Sequence, residues 1–174
     1  RAIMPGEYLI IWASGKDKVC ENGEIHTNFS IKASGETIFL VHSNGHTIID
    51  KSYNQALPQD MSMGRIPDNT ISWYFFSDPT PGMANNTEAF EGFSPQACFS
   101  VQGGQYEEPV SVILSTEDGE GGIYYTTDGS VPDIDSDCFS DPINIEQTIC
   151  VRARVIRPGE VPGIIITQTY LINE

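Results

Sequence analysis

Three groupings in the sequence carry residue types able to do chemistry. The first is acidic. Asp133, Asp135 and Asp137 stand at alternate positions, with Asp128 shortly before them. Hard carboxylate oxygens at alternate positions are what calcium loops use. Here Cys138 occupies the place of the glycine that lets such a loop turn, and no glutamate closes the ring at the required distance. The expectation is a solvated loop with local Asx turns, and calcium is the only cofactor the run suggests. The second grouping is His26, His42 and His46. His42 and His46 flank Asn44-Gly45; pairing Ser43 with His46 and His42 with Thr47 sends the two rings to opposite faces of a ribbon, so a shared ion is not expected.

The third grouping is aromatic. Trp73-Tyr74-Phe75-Phe76 is the heaviest run, and Tyr124-Tyr125 the next. Strand alternation puts two of the first four on each sheet face and separates the two tyrosines, so at most one of Tyr124 and Tyr125 is exposed. Trp73, Tyr74, Tyr124 and Tyr125 are therefore the candidate binding residues, for a sugar face by stacking or for a protein neighbour. No nucleophile, base and orienting group can be assembled from these motifs, and no catalytic residue is assigned. The cysteines Cys20, Cys98, Cys138 and Cys150 show no C-x-x-C spacing; one lies in the first half and three in the second, and free, partly buried thiols are expected.

The elements that position these groups read as strands. No segment sustains a 3.6-residue apolar period, and 16 glycines with 11 prolines in 174 residues signal many turns. Residues 8–12 form a β-branched and aromatic run. Ile25, Thr27, Phe29 and Ile31 alternate. Residues 37–49 read as a hairpin whose Asn44-Gly45 suits a type I′ turn, in which both central residues take positive φ. Residues 71–76 follow. Residues 77–95 change to turn and linker chemistry, which places a boundary near residue 90. Beyond it, alternation recurs over 97–101, 110–114, 122–127, 149–155 and 164–172. Short strands spaced by turns predict an all-β chain, two immunoglobulin-like β-sandwich modules in tandem over 1–90 and 91–174.

A formal charge of −15 with only nine lysines and arginines argues against nucleic acid, and against an anionic membrane surface. No apolar run approaches the ~18 residues needed to span a bilayer, so direct membrane insertion is not expected. The opening segment enters strand-like sequence at once and shows no signal peptide, which reads as a mature or truncated product.

Two family patterns are then recognisable. Residues 6–85 resemble the C-terminal part of a bacterial lamin-tail domain, through Gly6-Glu7-Tyr8-Leu9-Ile10-Ile11-Trp12-Ala13-Ser14-Gly15 and, more specifically, Ser62-Met63-Gly64-Arg65-Ile66-Pro67-Asp68 and Thr80-Pro81-Gly82-Met83-Ala84-Asn85. In that signature Gly64, Arg65, Pro67, Asp68, Pro81, Gly82 and Asn85 are read as structural, and Arg65 is expected to pair with a carboxylate or cap carbonyls. The strands that open such a domain are missing, so the first module reads as truncated. Its exposed edges would then need cover, with residues 8–12 and 73–76 as the expected surfaces for a partner or for self-association. Residues 92–172 resemble the fibronectin-III-like domain related to the C-terminal domain of chitobiase. The carriers are Gly103-Gly104-Gln105-Tyr106, Ile123-Tyr124-Tyr125-Thr126-Thr127-Asp128-Gly129-Ser130-Val131-Pro132, Asp141-Pro142-Ile143 and Val151-Arg152-Ala153-Arg154. Asp128 and Gly129 are the turn residues of that signature. This order of modules occurs in bacterial surface proteins ahead of a kinase-like domain of the spore-coat protein H family. The resemblance implies a secreted or surface-exposed, non-catalytic module whose partner is a protein or a cell-surface glycan.

Overall fold

The computed structural model describes residues 3–173; Arg1, Ala2 and Glu174 lie outside them. The chain divides into two compact units, Arg1–Ala89 and Phe90–Glu174. Among the described residues there are strands and no helix.

In the first unit the backbone pairs as three small ladders. β1 (Ile11–Trp12), β2 (Lys18–Val19) and β3 (Ile25–His26) form one, with β3 central, parallel to β1 and antiparallel to β2. β4 (Phe39–Val41) and β5 (Ile48–Lys51) form the second. β6 (Ser62–Ile66) and β7 (Asn69–Phe76) form the third, joined by Pro67-Asp68. Three expectations change here. The 8–12 run is strand only at Ile11–Trp12, and Tyr8, Ile10, Ile11 and Trp12 are all exposed. Alternation over 25–31 ends at His26, and Phe29 and Ile31 are exposed. The hairpin turn is not type I′. His42 N–H donates to the Thr47 carbonyl (2.8 Å), closing a four-residue loop, and Gly45 N–H donates to the His42 carbonyl (2.9 Å). Gly45 takes φ of 75° while Asn44 keeps a negative φ. Asn44 instead acts through its side chain: Oδ1 accepts from the N–H of His46 and of Thr47, both at 3.0 Å, and Nδ2 donates to Thr47 Oγ1. An asparagine that braces a loop this way has no need of the left-handed region.

The second unit holds the packed core. Its strands are β8 (Gly92–Phe93), β9 (Cys98–Phe99), β10 (Gly104–Tyr106), β11 (Val110–Val112), β12 (Leu114–Ser115), β13 (Gly122–Thr126), β14 (Asp137–Cys138), β15 (Ile143–Ile145), β16 (Ile149–Ile156), β17 (Glu160–Val161) and β18 (Ile166–Ile172). A five-stranded sheet runs in the order β10-β18-β16-β13-β14. Against it pack β9 with β12 and β11 with β15. β11 and β12 flank Ile113, whose N–H takes Ser100 Oγ (2.8 Å) and whose carbonyl accepts from Ser100 N–H (2.9 Å). One serine thus satisfies both polar groups where the ladder is interrupted.

The core draws on both layers: Phe99, Val112, Leu114 and Ile145 from one, Ile123, Val151, Ala153, Val155, Tyr170 and Ile172 from the other. The alternation of β16 is nearly clean, with Val151, Ala153 and Val155 at zero exposure. Two layers sharing one core in this way are an immunoglobulin-like β-sandwich.

Candidate binding site

The Gly64-Arg65 and Pro81-Gly82-Asn85 signature residues converge in the first unit. Thr80-Pro81-Gly82-Met83 is a tight turn: Met83 N–H donates to the Thr80 carbonyl (3.1 Å), and Gly82 has φ of 76°. Proline then glycine at the central positions is the chemistry of a type II turn. That turn delivers Asn85, whose Nδ2 donates to the Arg65 carbonyl (2.8 Å) and whose Oδ1 accepts from Thr80 Oγ1 (3.1 Å). Gly64 is glycine because a Cβ there would collide with Asn85 Nδ2.

So positioned, the Arg65 guanidinium grips Asp50 of β5 with two bonds, 2.6 and 2.8 Å. Its Cζ stands 4.6 Å from the centre of the Trp73 ring, and the Tyr53 ring meets Trp73 edge-on at 6.2 Å. The Arg65 bond, then the Lys51 N–H, hold the Asp50 carboxyl below its ordinary range. The arginine therefore ties the β4–β5 ladder to the β6–β7 ladder. Next to it lies an apolar cleft of about 500 Å³, lined among others by Ile31, Ile38, Leu40, Leu57, Met63 and Trp73.

The aromatic candidates are placed as follows. Trp73 and Tyr74 are half-buried; Arg65 covers a face of the Trp73 indole, and Asn69 Nδ2 donates to the Tyr74 hydroxyl (3.1 Å). Phe75 is half-buried and, among the described residues, Phe76 is the buried hydrophobic of this unit, so the 73–76 strand is less exposed than expected, with Trp73 lining the cleft. Tyr125 packs against the second unit's core, and burial followed by the Asp137 charge raises its pKa. Tyr124 is half-buried, paired with Arg154 on one side and Cys138 on the other.

The acidic run does not gather. Asp128 Oδ1 accepts from the N–H and the hydroxyl of Ser130 (2.9 and 2.6 Å), and the hydroxyl, then the N–H, lower its pKa. Asp133 Oδ1 accepts from Asp135 N–H and Ser136 Oγ, both at 3.0 Å. Asp137 sits in β14 opposite Tyr125. Around Asp128, Gly129 takes φ of 85°, Arg152 Nη1 donates to the Gly129 and Ser130 carbonyls (2.7 and 3.1 Å), and Pro132 is fully buried. The Asp-Gly-Ser-x-Pro run is a loop anchored at both ends. The four cysteines are free; Cys98 and Cys138, expected partly buried, are exposed, Cys98 on the outward side of β9 opposite to buried Phe99 and Cys138 in β14, whose two residues are both exposed. Among the described residues, the histidine that shares a cluster of metal-capable groups is His26, with Cys20 and Glu24. Sequence spacing alone missed that trio.

The fold of the second unit defines an immunoglobulin-like module. Residues 101–167 match the family of the chitobiase/beta-hexosaminidase C-terminal domain, a non-catalytic module of that fold. Comparison with curated proteins and with solved structures found no match.

Proposed function

We propose that this chain is a non-catalytic protein-interaction module of a secreted or surface-exposed multi-domain bacterial protein, and that the first unit carries the contact surface. The observation that carries the reading is the apolar cleft beside Arg65. Most of the large exposed hydrophobics belong to the first unit, among them Ile38 (43%), Leu40 (59%) and Ile71 (85%), and patches of that kind mark interaction sites. The β4–β5 and β6–β7 ladders are each two-stranded, so an extended apolar segment of a partner polypeptide has both strand edges and side-chain pockets to use. The lamin-tail resemblance of residues 6–85, and the placing of such modules ahead of a kinase-like domain, fit this role. A sugar-stacking role is less well supported, since Arg65 already covers Trp73 and Tyr125 faces the core.

Sedimentation velocity over a hundredfold concentration range, with and without a hydrophobic strand-forming peptide, tests the proposal. Association with the peptide or with a second copy, abolished by Leu40→Glu while the circular dichroism of the chain is unchanged, is expected. A strictly monomeric chain that ignores the peptide, or one that instead binds insoluble chitin or peptidoglycan, overturns it.

A further inference from the structure

We infer that Cys20, Glu24 and His26 form a zinc site on the β2–β3 hairpin. The antiparallel register pairs Lys18 with His26 and Val19 with Ile25. Continued by Cys20 N–H donating to the Glu24 carbonyl (2.9 Å), it places Cys20 opposite Glu24. Residues two apart on a strand share a face, so the Cys20, Glu24 and His26 side chains emerge on one side. Gly23, at φ of 86° with its N–H on the Cys20 carbonyl (2.9 Å), closes the turn that brings them together. Their ligand atoms all lie within 4.8 Å of one another, with His26 Nε2 3.9 Å from Glu24 Oε2. Tetrahedral zinc needs such atoms about 3.3–3.6 Å apart. The Glu24 side chain is half exposed, so the remaining movement meets little packing.

A second observation points the same way. The His26 ring is 11% exposed, and its other nitrogen, Nδ1, is 2.8 Å from Ser14 Oγ. Trp12 stacks on the ring at 6.4 Å. Metal-bound imidazoles are held in this manner, one nitrogen bonded to a neighbour and the other free to ligate. A thiolate, an imidazole and a carboxylate together select zinc over calcium or magnesium. On binding, the sulfur–zinc bond forms as the Cys20 thiol proton passes to solvent. Water takes the fourth position. The metal clips a hairpin of two-residue strands, β2 exposed and β3 half-buried.

The test uses the full chain, reduced and metal-free, titrated with Zn²⁺ and separately with Co²⁺. One equivalent of either is expected to bind, with a thiolate-to-cobalt charge-transfer band. The band disappears in Cys20→Ser, and affinity falls at least about tenfold in His26→Gln and Glu24→Gln and about tenfold in Ser14→Ala; Cys138→Ser leaves binding intact. In the unmutated chain, Zn²⁺ slows alkylation of Cys20, read by peptide mass spectrometry, and spares Cys98 and Cys138. Absence of binding, a band that survives Cys20→Ser, or equal protection of all four thiols overturns the site.

Discussion

Tyr170→Phe removes one oxygen from the centre of the second unit, and its effect should reverse with pH. Tyr170 is fully buried, and its hydroxyl donates to the Val101 carbonyl at 2.7 Å. At neutral pH the substitution deletes that bond while the ring keeps its packing, a loss of about 1–1.5 kcal/mol. For a unit of this size the melting temperature falls by roughly 5–10 °C. In alkali the balance changes. Burial, then the neighbouring Tyr106, pushes the Tyr170 pKa from 10.0 up to about 12. A raised pKa in the folded state means the stabilisation is whole below pH 10 and drains away as pH rises toward 12, because the unfolded chain gives up this proton first. The drain is about 1.4 kcal/mol by pH 11 and approaches about 2.7 kcal/mol beyond pH 12. Phenylalanine has no proton to lose, and the other tyrosines are common to both proteins. Urea unfolding followed by circular dichroism should therefore show the wild type ahead at pH 8, the two proteins level near pH 11, and the variant ahead above it. Stability curves that stay parallel from pH 8 to pH 12 would refute the reasoning.

Gly64→Ala should displace the Asn85 amide from the Arg65 carbonyl and lower the first unit's thermal stability, and Asn85→Ala in the same chain should add little further loss, as scanning calorimetry of the four proteins of that cycle would reveal. Asp118 is held down at about 2 by the Arg157 guanidinium, then by the Glu120 N–H. Its pairing supports the fold above its ordinary pKa of 3.8 and is lost as pH falls toward 2, so the stability difference between wild type and Asp118→Asn should be constant above pH 5 and vanish in acid titration monitored by fluorescence. Millimolar calcium should move the melting temperature by less than about one degree, since Asp128 and Asp133 already accept bonds from their own loops; a rise of several degrees, lost in Asp135→Ala, would contradict this.

How far the sequence could be read depended on whether a segment has a core to face. Val110, Val112 and Leu114, or Val151, Ala153 and Val155, alternate because one side packs into the core, and the pattern locates the strand and its inward face together. Tyr8 to Trp12 in the first unit are just as apolar, but no shared core selects a face, so propensity overstated the strand. At Asn44-Gly45 the dipeptide signals a turn in either geometry; the choice lay with the Asn44 side chain, which had Thr47 within reach. Gly64, Arg65 and Asn85 were recognisable only as a motif, because 20 positions separate the carbonyl from the amide that caps it. The Cys20, Glu24 and His26 cluster follows from hairpin register. The signal that would have located it is Asn22-Gly23, a turn dipeptide between two short runs.

The edge pairing of β10 with β18 has a mechanical consequence. The two strands run parallel, with Gly104, Gln105 and Tyr106 against Tyr170, Leu171 and Ile172, and Asn173 N–H adds a bond to the Tyr106 carbonyl at 3.0 Å. β10 lies early in the second unit and β18 ends it. Tension drawn through the unit along its chain pulls these strands in opposite directions along their common axis. The rungs between them are then loaded in shear, all at once, where an antiparallel hairpin pulled from its open end would unzip one rung at a time. Because the Tyr106 and Tyr170 rings pack 6.2 Å apart across the same seam, sliding must also drag an aromatic contact out of register. A seam loaded in this way resists extension along the chain more than one that unzips rung by rung.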